Sequence, residues 1–74
     1  MAMMNTDSTW KSVTLAADEG WQCRAGQLLV TKEAAGDEDR GILLNHGQAW
    51  SFTAGDTVYF RAVFGTARVA REAI

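Results

Sequence analysis

Seven glycines punctuate the chain at positions 20, 26, 36, 41, 47, 55 and 65, so no glycine-free run between them exceeds nine residues. A packed helix typically needs about 11 residues and loses about 1 kcal/mol for each interior glycine, whereas a strand is complete in about five or six. The spacing therefore suits strands separated by turns, and the runs between glycines are rich in Val, Thr, Trp, Tyr and Phe. Seven strands are predicted: Trp10–Ala16, Trp21–Ala25, Gln27–Lys32, Gly41–Asn45, Gln48–Thr53, Thr57–Phe64 and Ala67–Glu72. Period-two alternation supports this, with Val13 and Leu15 on one face of the first and Trp50 and Phe52 on one face of the fifth. Asp18-Glu19-Gly20, Asn45-His46-Gly47, Ala54-Gly55-Asp56 and Gly65-Thr66 each separate two runs, as hairpin turns do. Proline is absent, so nothing forbids central pairing of any run. The expected fold is all-β: a meander or a compact antiparallel β-sandwich or barrel of about seven short strands.

A domain of 74 residues buries only about 60% of its unfolded surface, and such domains usually add disulfides, a metal or a partner subunit. Cys23 is the only cysteine and His46 the only histidine, which rules out an intrachain disulfide and falls short of a four-ligand zinc site. Oligomerisation is the supplement that remains. With 47% hydrophobic residues the chain is built to pack, not to stay disordered.

The net charge of −2 argues against a general nucleic-acid binder. Residues 1–40 carry four basic and seven acidic side chains, and residues 41–74 carry three and two, an asymmetry able to orient neighbouring copies. Residues 1–9 have neither a basic nor an apolar leader region, and no run approaches the roughly 18 apolar residues of a membrane span. Synthesis in the cytoplasm and no membrane partner are expected. The predicted organisation is an extended N-terminal arm over residues 1–9 and a single β-domain over 10–74, with Glu33 to Arg40 as the longest exposed loop.

The run Val58 to Phe64 is the most informative. Val58, Phe60, Ala62 and Phe64 form one face, while Tyr59 and Val63 make the other partly apolar. Both faces call for cover, either as a sandwich interior or as a subunit interface. Arg61 among aromatic neighbours has the composition of interface hot spots. The residues expected at a partner interface are Met1, Met3 and Met4 of the arm together with Trp50, Tyr59, Arg61 and Val63. Arg68 and Arg71 either extend a basic strip from Arg61 or act as solvated charges pairing with Glu72 or Asp56.

No catalytic site is expected. Cys23 reads as a core residue and His46 as a turn residue, and no spacing singles out a carboxylate pair. Glu33, Asp37, Glu38 and Asp39 lack the alternating pattern of a calcium loop. Neither metal nor cofactor is expected.

The stretch Gly41 to Ala62 places a Gly-Asp turn before an apolar strand, as the second motif of cupins does, but the histidine set of a cupin metal site is missing. Trp10-Lys-Ser-Val13, Leu44-Asn-His-Gly-Gln48 through Phe52 and Val58-Tyr-Phe-Arg-Ala62 resemble patterns in the small β-rich accessory proteins of tailed bacteriophages. That resemblance, over roughly residues 10 to 72, implies a virion structural protein, foremost a capsid decoration or cement protein that binds the major capsid protein in many copies at the capsid surface. A neck or tail accessory protein is the alternative within the same class. A small carbohydrate-binding β-domain using Trp50, Trp21 or Trp10 as a stacking platform, and a regulatory partner protein, are the alternatives outside it.

Overall fold

A computed structural model describes residues 2–32 and 41–74. The strands are β1 (Ala2–Asp7), β2 (Lys11–Thr14), β3 (Glu19–Ala25), β4 (Leu28–Thr31), β5 (Ile42–Leu44), β6 (Ala49–Phe52), β7 (Thr57–Ala62) and β8 (Thr66–Ala73), with no helix among the described residues. They form two antiparallel four-stranded sheets with the orders β1-β8-β3-β6 and β2-β7-β4-β5, and no closed barrel. Each of the seven expected strands is present with its ends within two residues of expectation.

Three expectations are corrected. Residues 2–7 are not an extended arm: Ala2–Asp7 is an eighth strand, paired along its whole length with β8 at the other end of the chain. Its residues have little intrinsic strand preference, and what holds the strand is that long-range ladder together with Met4 and Thr6 turned inward. The meander is replaced by a chain that changes sheet at almost every turn. Turns 18–20, 45–47, 54–56 and 65–66 join strands of different sheets, and only β4 and β5 are consecutive neighbours in one sheet. Glycine and Asx chemistry produces a reversal, but it does not determine which sheet receives the next strand. Finally, β7 stops at Ala62, which leaves Phe64 beyond it in the turn and 79% exposed.

The core draws on both sheets. Trp21 and Cys23 of β3, Phe52 of β6 and Ala67 and Val69 of β8 meet Leu28 and Val30 of β4, Leu44 of β5 and Val58, Phe60 and Ala62 of β7. Fully buried Trp21 sits at the centre, edge-on to Phe52 at 5.3 Å and to Phe60 of the other sheet at 5.4 Å between ring centroids. Such pairs contribute about 0.5–1.5 kcal/mol beyond area burial. At the end of β3 a register shift between Cys23 and Ala25 bends the strand toward Gly26. There φ is +73°, and a Cβ would stand 2.6 Å from the Thr66 carbonyl oxygen, so the site accepts glycine alone.

Candidate functional site

β7 is a central strand, flanked by β2 and β4, and its alternation sends Val58, Phe60 and Ala62 into the core. Thr57, Tyr59 and Arg61 consequently face outward. Cross-strand partners in an antiparallel ladder share a face, so the register defines what surrounds them. Tyr59 lies between Ser12 of β2 and Thr31 of β4, and Arg61 lies beside Leu29, whose own neighbour on β5 is Leu43. On the other side of Arg61 is Trp10, immediately before β2, with the guanidinium carbon 5.4 Å from the indole centroid. Arg61 Nη1 also donates to the Ala62 carbonyl at 3.0 Å, which fixes the fork over the strand.

A row Trp10, Arg61, Leu29 and Leu43 thus crosses the outer face of the β2-β7-β4-β5 sheet, with Tyr59 next to it. Leu29, although outward, is only 8% exposed, whereas Leu43 is 45% exposed. Trp10 Nε1 is shielded from solvent and has no hydrogen-bond partner among the described residues. An aromatic ring, a stacked arginine, aliphatic neighbours and a shielded indole donor are the materials of an interface hot spot.

The outer face of the other sheet is different in kind. Ala70 of β8, Gly20 of β3 and Ala49 of β6 floor a shallow hollow of about 420 Å³, with Gln22, Arg24 and Glu72 around it. Ile74 leans over Gly20. The outward side chains around the hollow are small, polar or charged, apart from Ile74, which is 79% exposed.

Of the residues expected at an interface, the fold brings together only Tyr59 and Arg61. Val63 follows β7 in the turn, half-buried, its N–H donating to the Gln27 carbonyl at 3.0 Å. Met3 and Met4 lie across the molecule on β1, Met3 outward and 44% exposed, Met4 packed against the core. Met1 lies outside the described residues. Trp50 is on edge strand β6, 46% exposed, in a cleft of about 320 Å³ with Phe52, Val30, Ile42 and Lys32. Trp10, Leu29 and Leu43 were missing from the expected set. An outward Leu29 reads in sequence as one more core residue of Leu28-Leu29-Val30, and only the register places it beside Arg61.

The basic strip does not form. Arg61 is on one outer face, Arg68 on the other, and Arg71 turns inward. Arg71 Nε and Nη2 grip Glu19 Oε1 and Oε2 at 2.9 and 3.2 Å, and the guanidinium stacks 5.0 Å from the Trp21 centroid. Trp21 Nε1 donates to the same carboxylate at 3.0 Å. The hydrogen bonds that Glu19 accepts from Arg71, reinforced by that from Trp21, hold its carboxyl below the usual glutamate range. Arg71 is therefore partnered by Glu19 rather than Glu72 or Asp56, and Asp56 instead faces Lys32 at 3.7 Å.

The Cys23 thiol is fully buried, pushed up from its ordinary pKa by that burial, and donates toward the Gly26 carbonyl at 3.3 Å. A protonated, enclosed thiol is a poor nucleophile. His46 lies exposed in the turn from β5 to β6. Asp18 and Asp56 accept the N–H groups of Ala54 and Thr53 at 2.8 and 2.9 Å, so both carboxylates are engaged in turn geometry. Among the described residues no three His, Cys, Asp or Glu side chains converge to hold a metal ion. The segment Glu33 to Arg40 lies outside them.

No family model matches the chain, and no curated protein or solved structure matches it either.

Proposed function

We propose that this chain is a non-catalytic binding and assembly module that attaches to a protein partner through the outer face of the β2-β7-β4-β5 sheet. The observation that carries this reading is the row Trp10, Arg61, Leu29 and Leu43 with Tyr59, aromatic and arginine-centred on a sheet face that has no covering layer among the described residues. The architecture we read is a two-layer β-sandwich. The orders 1-8-3-6 and 2-7-4-5, with core residues drawn from both sheets, support its eight-stranded jelly-roll form. Jelly rolls build viral shells, lectin domains and cupins, so function rests on the surface and not on the fold.

Within that reading the narrower proposal is a virion structural role: a multi-copy decoration or cement protein on the head, made in the host cytoplasm, engaging the major capsid protein. It is supported by the likeness of the strand motifs Trp10 to Val13 and Val58 to Ala62 to phage accessory proteins, and both segments supply the proposed face. The test is the copy number of the chain in particles purified by density gradient from cells that produce it. Many copies per particle are expected, and particles free of the chain overturn the virion role.

One observation favours a second reading. Trp50 stands half-exposed over an apolar cleft with Lys32 at its rim, the arrangement of a sugar-stacking platform. Trp21 has no such role, being sealed in the core. A saturable change in tryptophan fluorescence with soluble glycans, lost in Trp50→Phe, would favour this reading over the protein interface.

A further inference from the structure

Among the described residues four strands have one edge without a neighbour: β1 and β6 in one sheet, β2 and β5 in the other. An edge presents unpaired backbone donors and acceptors to any strand that can lie beside it, and native proteins blunt such edges with short strands, lysine, proline or bulges. Three of the four are blunted here. β5 has only three residues, β6 and β2 have four each, and β2 begins with Lys11. β1 is the exception, with six residues, Ala2 to Asp7, that include no lysine, arginine, proline or glycine and have no register shift against β8.

We infer that the β1 edge is a self-association site at which a second copy of this chain adds its own β1 antiparallel, joining two four-stranded sheets into one of eight. The occupant follows from the strand's own composition. In an antiparallel pair opposite residues share a face, so outward Met3 and Asn5 must meet outward residues and inward Met4 must meet an inward one. A two-fold axis through Met4 does this: Met4 opposes its own copy beside the core, Met3 opposes the second copy's Asn5, and Ala2 opposes its Thr6. The five pairs from Ala2 to Thr6 contain no charge, and the single acid of the strand, Asp7, falls outside them, so no like charges meet. Met3, 44% exposed in the single chain, gains cover on the outer face. The interface is isologous and closes as a dimer, which leaves the Trp10 and Tyr59 face free on each copy. The inference is independent of the proposed function.

The test is the mass in solution by light scattering, over a concentration series, of the full chain and two double variants at exposed positions. The chain is expected to run at twice 8.1 kDa at high concentration. M3K/N5K puts lysine opposite lysine twice in this register and is expected to run as a monomer with an unchanged far-ultraviolet spectrum. M3K/N5E puts lysine opposite glutamate twice and is expected to restore the dimer. A chain that stays at 8.1 kDa throughout, or an M3K/N5K variant as dimeric as the parent, overturns the proposal. An M3K/N5E variant that stays monomeric overturns the register.

Discussion

The two outer faces of the molecule are built from the same kind of antiparallel ladder, yet they present opposite chemistry. One carries Trp10, Tyr59, Arg61, Leu29 and Leu43, and the other carries Gly20, Ala49, Ala70, Gln22 and Glu72. Every strand alternates, so each outward position in a two-sheet fold is open to choice once the inward ones satisfy the core. On strands β3, β8 and β6 of the β1-β8-β3-β6 sheet those choices are small or polar, with Met3 of β1 the one large apolar side chain among the outward strand residues. Large side chains occupy the outward positions on the β2-β7-β4-β5 sheet, where the strands of the other sheet all lie on the core side. A face that holds large side chains without a layer above it among the described residues is the economical place to look for a partner.

Both faces hang on one core, so the largest effect comes from removing what joins them. Trp21→Ala deletes the ring that bridges Phe52 and Phe60 and is expected to cost about 3–5 kcal/mol, enough to unfold a domain this small. Thermal melting followed by circular dichroism would show the loss of the transition, and an intact, cooperative melt would mean that the sheets are held independently.

The comparison itself is broken or sharpened by paired arginine substitutions. Arg61→Ala removes the guanidinium over Trp10 and is expected to weaken partner binding by about 2 kcal/mol, roughly 30-fold in Kd. Arg68→Ala, on the other face, is expected to leave binding unchanged and to shift stability by less than about 0.5 kcal/mol. Titration calorimetry against the isolated partner would measure both constants, and equal losses would erase the distinction between the faces.

Between these lies Arg71, which belongs to neither face. Because the folded state holds the Glu19 pKa below its unfolded value, the pair stabilises the fold above the unfolded pKa, and that stability is lost as pH falls through the folded one. Glu19→Gln is expected to cost about 1–2 kcal/mol at neutral pH, with the gap from the parent narrowing on acidification. Urea titrations at neutral pH and at acid pH would test this; a gap that does not change with pH would mean that Glu19 contributes by shape and not by charge.

Much of the fold was legible because alternation and turn chemistry are local. The pattern Val58, Phe60, Ala62 marks an inward face, and Asn45 to Gly47 and Ala54 to Asp56 mark reversals, wherever the strands go. Pairing partners are not local, which is why β1 read as an arm and the turns read as hairpins: the ladder that orders Ala2–Asp7 comes from Thr66–Ala73. The site divides along the same line. Tyr59 and Arg61 stood out by composition within one strand, while Trp10, Leu29 and Leu43 join them only through three strand registers. Arg71 looked like a surface charge because nothing near it in sequence signals Glu19, which meets it diagonally from the neighbouring strand β3.

The most direct measurement places a photoreactive phenylalanine analogue at Tyr59 on one face or at Ser51 on the other, in cells that make the chain, and follows crosslinked products by mass. A discrete protein adduct from position 59 and none from position 51 is the expected result. An adduct from 51 alone, or equal adducts from both, would contradict the assignment of the β2-β7-β4-β5 face as the surface that meets the partner.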